Sequence, residues 1–139
     1  MSEIKNLIIC NPYIVPSKYS KYNREKRKFE LISDRRPAGF LIASADSKAF
    51  DDPGEFRELD LVNKIRERVD KWRENDYPNI TGVTRQLIEF WKNKEKRENR
   101  FFFCQIEAIE TIIWLVESPD AEKQGIKIPS DGGLFQRLC

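Results

Sequence analysis

The chain has 139 residues and a formal net charge of only +2, with 25 Lys and Arg against 23 Asp and Glu. This length fits a single domain that can bury a core without disulfide or metal support. The sequence contains no His, which excludes Ser-His-Asp and Cys-His catalysis and every histidine-containing metal site. The three cysteines, which form no CxxC pair, are expected to be reduced thiols: Cys10, Cys104 and Cys139.

Membrane and export signals are not visible in the sequence. No run approaches the roughly 18 consecutive apolar residues of a membrane-spanning helix. Residues 1–5 do not begin the long apolar run and small-residue cleavage site of a signal peptide. We therefore expect a cytoplasmic location and no membrane partner.

The first part of the chain, 1–54, has the pattern of short strands. We predict a strand over 4–10, before the Asn-Pro turn signal. The run 28–33 alternates partly, as a half-exposed strand does, and a turn-like stretch separates it from the apolar run 40–43. We predict that these two runs pair with each other as a β-hairpin with a long loop.

The second part, 55–139, is predicted to be helical. Pro53 is predicted to begin a helix, because proline is favoured at the first helical position. That helix carries an amphipathic stripe with helical spacing, made of Val62, Ile65, Val69 and Trp72.

Two further helices follow in the predicted order. Thr81 is placed to cap a helix over 82–93, and a third helix begins at Phe101 or Phe102 and ends before Pro119. The apolar segment 134–139 resembles the beginning of a strand that stops at the last residue, so we expect a truncated element there. The tryptophans are expected in the core: Trp72, Trp91 and Trp114.

Two pairs of carboxylates deserve consideration as ligands or as acid–base groups, namely Asp51 with Asp52 and Glu107 with Glu110. Paired acids are common in loops and on helix faces, and nothing in the sequence places these beside a nucleophile. We therefore favour structural roles and predict no metal site.

The segment 18–36 is basic. It has eight cationic and three acidic side chains, a net of +5, with tyrosines in or beside it. One interpretation is a phosphate-contacting hairpin whose tyrosines stack on bases; the other is an exposed strand pair kept soluble by charge. The nucleic-acid candidates are Arg24, Lys26, Arg27 and Lys28.

Gln105 is a polar residue in the apolar run that begins the third helix. A glutamine amide presents a donor beside an acceptor, which matches the amino and ring-nitrogen edge of adenine. Arg100 would stack its guanidinium plane on a base. The alternative is that Gln105 caps the helix or bonds to the backbone.

Four stretches resemble the N-terminal part of type III restriction enzyme Res subunits and related superfamily 2 DEAD/DEAH-like helicases. They are NPY with Pro16 at 11–16, RRPAG at 35–39, SKAFDDPG at 47–54 and FFFCQIEAIET at 101–111. The last stretch is similar to the family's adenine-reading glutamine motif. On this resemblance Gln105 would contact adenine, with Arg100 as its neighbour.

The resemblance implies an ATP-dependent DNA translocase coupled to DNA cleavage, using ATP and Mg²⁺. Its implied partners are DNA, a modification methyltransferase subunit and the remainder of a motor domain. The family's Gly-Lys-Thr phosphate loop would follow the strand at 134–139. We therefore expect an α+β N-terminal fragment of an α/β motor protein, with neither ATPase activity nor tight ATP binding by itself. The competing hypothesis is a free-standing nucleic-acid-binding module that uses 18–36.

Overall fold

A computed structural model of the chain describes residues 8–43 and 53–129. Four short strands precede three helices, which confirms the predicted α+β class. The elements are β1 (Tyr19–Asn23), β2 (Lys28–Ile32), β3 (Gly39–Ile42), β4 (Glu55–Glu58), α1 (Asp60–Glu74), α2 (Gly82–Lys92) and α3 (Phe103–Glu117).

The strands form two separate antiparallel pairs. β1 pairs with β2, and β3 pairs with β4. The predicted hairpin of 28–33 with 40–43 is therefore wrong. The four residues 24–27 close β1 onto β2, with Arg27 in the left-handed region at φ 48°. A short closure costs less chain entropy than a long one, but these charged residues carry none of the usual Gly or Pro turn signals.

The residues after Pro53 begin a strand, so the prediction that Pro53 opens a helix is also wrong. In the register of the second sheet, Leu41 lies opposite Phe56. Gly54 has φ 103°, and a Cβ there would lie 2.4 Å from the carbonyl oxygen of Ile42. Only glycine fits this close approach, which starts β4 beside β3. This strand pair spans the predicted division of the chain at 54/55.

The predicted second and third helices are present. The Thr81 side chain accepts a hydrogen bond from the Thr84 N–H at 3.2 Å and caps α2. α3 begins at Phe103 and ends just before Ser118 and Pro119, as the stop signal predicts. None of the helices described within 53–129 is long and apolar enough to cross a bilayer.

The core lies among the three helices. Its buried hydrophobic members are Val69, Trp72, Tyr77, Ile88 and Trp114. Trp91 is half-buried and packs against this cluster, so all three tryptophans belong to the core as predicted. The buried indole of Trp72 satisfies its donor by bonding to the Pro78 carbonyl at 2.9 Å.

Asn63 of α1 ties the helices to the strands. Its Oδ1 accepts from the Ala38 N–H at 2.7 Å, and its Nδ2 donates to the Ala38 carbonyl at 3.2 Å. The same carbonyl accepts from the Leu59 N–H at 2.8 Å. The backbone just before β3 is therefore fixed to the beginning of α1.

Several predictions from the sequence concern residues outside 8–43 and 53–129. The strand predicted at 134–139 and the acidic pair Asp51 and Asp52 lie outside the described residues. Most of the strand predicted at 4–10 does so too, and residues 8–10 have no regular secondary structure.

Candidate functional site

Gln105 occupies the third position of α3, after the N-cap residue Phe102. Its Oε1 accepts a hydrogen bond from the Phe102 N–H at 2.9 Å. The Phe102 side chain has no acceptor for the Gln105 N–H, so only one of the two hydrogen bonds of a capping box is formed. The capping role proposed for Gln105 is thus observed. The exposed amide keeps two N–H donors and a second lone pair for a ligand, so the adenine contact stays a prediction.

Arg100 lies beside the same helix end. Its guanidinium carbon is 4.1 Å from the centroid of the Tyr13 ring, a close cation–π contact. The Tyr13 ring is in turn 5.5 Å from the Phe102 ring. Arg100 therefore stacks on a protein ring, in a layered group that ends at the N-cap of α3.

The segment before β1 is fixed to α3 by the backbone. The Phe103 N–H donates to the Pro12 carbonyl at 2.8 Å. This satisfies one of the N–H groups that a helix start leaves without an intrahelical partner. The contact brings 11–13 against 101–111, although about 90 residues separate them along the chain.

Glu107, one turn further along α3, binds Arg35 from the β2–β3 connection. The two guanidinium nitrogens Nη1 and Nη2 donate to Oε2 and Oε1, both at 2.6 Å. Arg66 Nε lies 3.8 Å from Oε1. Burial raises the pKa of the Glu107 carboxyl, but the hydrogen bond from Arg35 and the surrounding arginine charges outweigh it, so the net shift is downward.

Glu110 lies at the centre of a buried polar network and is only 1% exposed. Its Oε2 accepts from Arg73 Nε at 2.6 Å and from the Tyr77 hydroxyl at 3.2 Å. Lys92 donates to that hydroxyl. Burial, with the negative charge of Glu110, raises the pKa of Tyr77, and burial lowers the pKa of Lys92.

The acidic pair on α3 therefore has structural partners, as predicted from the sequence. Among the residues that the structure describes, no three His, Cys, Asp or Glu side chains cluster to hold a metal ion. Arg73, Tyr77 and Lys92 were not predicted as members of a site. They come from the end of α1, the α1–α2 connection and the end of α2, and sequence spacing does not relate those three places.

A cavity of about 390 Å³ adjoins this network. We call it the aromatic cavity because four rings line it: Tyr13, Trp91, Phe101 and Phe103. Arg73 and Glu110 also line it, as does Arg100, whereas Gln105 does not. The two predicted adenine-site residues are therefore close along the chain but do not share this cavity.

The polar network around Glu110 is incomplete. Glu110 Oε1 and Arg73 Nη2 are both buried and have no hydrogen-bond partner in the described structure. An unpaired buried polar atom is costly, by about 1–3 kcal/mol. These atoms are one acceptor and one donor, and they belong to side chains already joined through Arg73 Nε and Glu110 Oε2.

The basic hairpin is formed by β1 and β2. Its four candidate residues are all exposed in or beside the turn, and Lys26 pairs with Glu30 at 2.9 Å. A second cavity of about 390 Å³ lies between the two sheets. Of the four candidates, only Arg24 lines it, together with Lys21, Arg36 and the rings of Tyr19, Tyr22, Phe29 and Phe56.

Comparison of the chain with protein-family models, with curated proteins and with solved structures gives no match. The function is therefore inferred from the fold, the site geometry and the residue patterns of the sequence.

Proposed function

We propose that the chain is the N-terminal part of an ATP-dependent, DNA-translocating restriction endonuclease or helicase subunit. In this proposal the first turn of α3 contacts the adenine of ATP. One observation supports it above the others: three of the four stretches that carry the family resemblance meet at the first two turns of α3. Pro12 bonds to Phe103, and Arg35 forms a bidentate pair with Glu107.

The convergence matters because the residues that hold the beginning of α3 in place come from the same stretches that carry the resemblance. Gln105 would donate through Nε2 to a ring nitrogen of adenine and accept from its amino group through the free lone pair of Oε1. The stack of Arg100 on Tyr13 lies at the same end of α3, since the Tyr13 ring contacts the N-cap residue Phe102. The supporting pairs fix the position of the turn, which a specific contact requires.

The phosphates and Mg²⁺ would be held by the remainder of the motor. Phosphoryl transfer depends on positioning and charge neutralisation of the phosphates. A contact to adenine supplies neither of them. The isolated chain is therefore expected to bind adenine nucleotides weakly and not to hydrolyse ATP.

The test is a titration of the isotope-labelled 139-residue chain with AMP and, separately, GMP, followed by NMR. AMP should shift the Gln105 side-chain amide and the first-turn backbone signals of α3, and GMP should shift them less. Gln105→Ala should abolish the first-turn response. Gln86→Ala, which removes an exposed glutamine from α2, is the matched control. An unchanged first turn in the presence of AMP contradicts the proposal.

The second candidate function is binding of single-stranded nucleic acid by the basic hairpin. The cavity between the sheets supports it, because aromatic rings beside cations are the usual surface for stacked bases and their phosphates. Tyr22 and Phe29 pack edge to face with their centroids 5.2 Å apart, which holds both rings at the cavity. Arg36 lies over Tyr19 at 5.6 Å and supplies a cation there.

This candidate is tested by fluorescence anisotropy of labelled oligonucleotides at several salt concentrations. Binding should weaken as salt rises, and it should be lost when the four candidate residues are changed to Glu: Arg24, Lys26, Arg27 and Lys28. The control changes four exposed lysines elsewhere to Glu: Lys64, Lys71, Lys96 and Lys127. Equal loss in both variants would show only an effect of net charge.

A further inference from the structure

We propose that the aromatic cavity binds a small aromatic anion, namely a hydrocarbon ring system that carries a carboxylate or a phosphate group. The wall of the cavity supplies an apolar surface that a ring can cover. Two exposed cations that also line the cavity, Lys94 and Arg100, supply partners for the anionic group.

The wall is mostly aromatic and aliphatic, and solvent reaches it. Beside the four rings, it is lined by Ile14, Val15 and Ile106. Tyr13, Ile14 and Val15 are 38%, 60% and 45% exposed. Covering such side chains with a ring is favourable, because apolar area is removed from water. The volume of about 390 Å³ lies within the range of about 300–1,000 Å³ that is common for small-molecule sites.

The polar network behind the wall does not offer hydrogen bonds to a ligand. Its two unpaired atoms, Glu110 Oε1 and Arg73 Nη2, have essentially no accessible surface. A nucleobase in the cavity would exchange the hydrogen bonds that water makes to its polar edge for contacts with mainly apolar side chains, which is unfavourable. A hydrocarbon ring has no polar edge, so it suits this wall better.

The charge beside the cavity favours an anion. The connection 92–100 carries five cationic and two acidic side chains, a net of +3. Neither the Lys94 ammonium nor the Arg100 guanidinium donates a hydrogen bond to any residue that the structure describes. The contact of Arg100 with the Tyr13 ring, 4.1 Å from its centroid, holds the guanidinium in place and leaves its N–H donors free for a carboxylate or phosphate.

This inference goes beyond the proposed function and does not depend on it. The ligand is not a nucleotide, and Gln105 does not line the aromatic cavity. Arg100 lies near both places, whereas Lys94 lines the cavity and has no part in the adenine contact. A first turn of α3 that does not respond to AMP would therefore leave this site untouched.

Isothermal titration calorimetry on the full chain tests the inference with naphthylacetate and its neutral isostere naphthylacetamide. The acid should bind about three- to thirty-fold more tightly than the amide at low salt, because each of two cations adds a partly exposed ion pair. This advantage should shrink as salt rises. Equal affinity for the two compounds, or no binding of the acid at millimolar concentration, would overturn the proposal.

A charge variant tests the role of Lys94. Lys94→Gln should lower the affinity for naphthylacetate about two- to five-fold and leave the affinity for the amide unchanged. The matched control is Lys96→Gln, which removes the same charge from an exposed lysine of the same connection that does not line the cavity. It should leave both affinities unchanged. Equal loss of acid binding in the two variants would show an effect of net charge alone and would reject the assignment.

A filled cavity tests the position of the ring. Ile106→Phe, at a half-buried lining position, should lower the affinity for both compounds at least about ten-fold, because the larger side chain occupies the space of the ligand. Val15→Phe makes the same change from a lining position that is 45% exposed, so it keeps the test valid if Ile106→Phe unfolds. Wild-type affinity in a folded variant of this kind would place the ligand elsewhere and refute the proposal.

Discussion

Arg35 and Glu107 are 72 positions apart in the sequence, yet their side chains form two parallel hydrogen bonds of 2.6 Å. The side chains are only 22% and 13% exposed. This pair fastens the β2–β3 connection to the second turn of α3. It therefore contributes to the position of the first turn, where the proposed adenine contact lies.

Arg35→Ala should destabilise the chain by about 1–3 kcal/mol, because it leaves the poorly exposed Glu107 carboxylate without its main partner. Arg35→Lys should fall between Ala and wild type, since a lysine keeps the charge but not the bidentate geometry. Urea denaturation followed by circular dichroism measures both. Arg57→Ala removes a more exposed pair with Glu55 and should cost less than about 1 kcal/mol. A similar cost for Arg35→Ala would mean that the buried pair contributes little.

Acid should weaken the fold through Glu107. Its folded pKa lies below its ordinary value, so the unfolded chain takes up the proton first as the pH falls. Stability from this group is complete above about pH 4.3, the ordinary glutamate pKa, and declines below it until the folded carboxyl is also protonated. Melting temperatures are measured between pH 3 and pH 7 in steps of about one pH unit. As the pH falls, the melting temperature should decrease less steeply for Arg35→Ala than for the wild type. Parallel curves would refute the assignment.

Gly54→Ala should destabilise the chain by about 1–3 kcal/mol, because φ 103° is unfavourable for alanine and the new Cβ would lie 2.4 Å from the Ile42 carbonyl. Gly82→Ala is the matched change. Gly82 begins α2 with open space around it, so alanine should be neutral or stabilise by up to about 1 kcal/mol. The melting temperature should therefore fall for Gly54→Ala and stay the same or rise for Gly82→Ala. If both melting temperatures change equally, the close approach of β4 to β3 does not determine the effect of alanine at position 54.

Ile88→Ala should cost about 2–5 kcal/mol, because Ile88 is 4% exposed within the core and its loss leaves a cavity. Val83, on the same helix, is 69% exposed, and Val83→Ala should change stability by at most about 0.5 kcal/mol. Guanidinium denaturation compares the two. A small effect at Ile88 would contradict the placement of the core among the three helices.

Local patterns predicted the helical half of this fold well. The cap at Thr81 and the stop before Pro119 are signals within one turn of the helix end, so they need no distant partner. The strands were harder to predict, because the residues of one strand do not show which other segment pairs with it. Lys28–Ile32 was recognised as a strand, but its partner Tyr19–Asn23 was not.

The candidate site divides in the same way. Gln105 and Arg100 were found from residue type and position near a helix start. The network around Glu110 was not, because Arg73, Tyr77 and Lys92 come from three different places in the chain. Tyr77 in particular lies in the α1–α2 connection and has φ 53°. This backbone conformation is uncommon for residues other than glycine, so the residue type does not predict it.

The sequence by itself determined the α+β class, the presence of α2 and α3, the cap of α2, the end of α3, the core tryptophans and the lack of histidine, since these follow from composition and from spacing within a few residues. Tertiary structure alone decided which strands pair, which carboxylates are buried and where the aromatic cavity lies. Those features depend on side chains brought together from distant parts of the chain. Their free energies arise from burial and from paired charges, which no local pattern encodes.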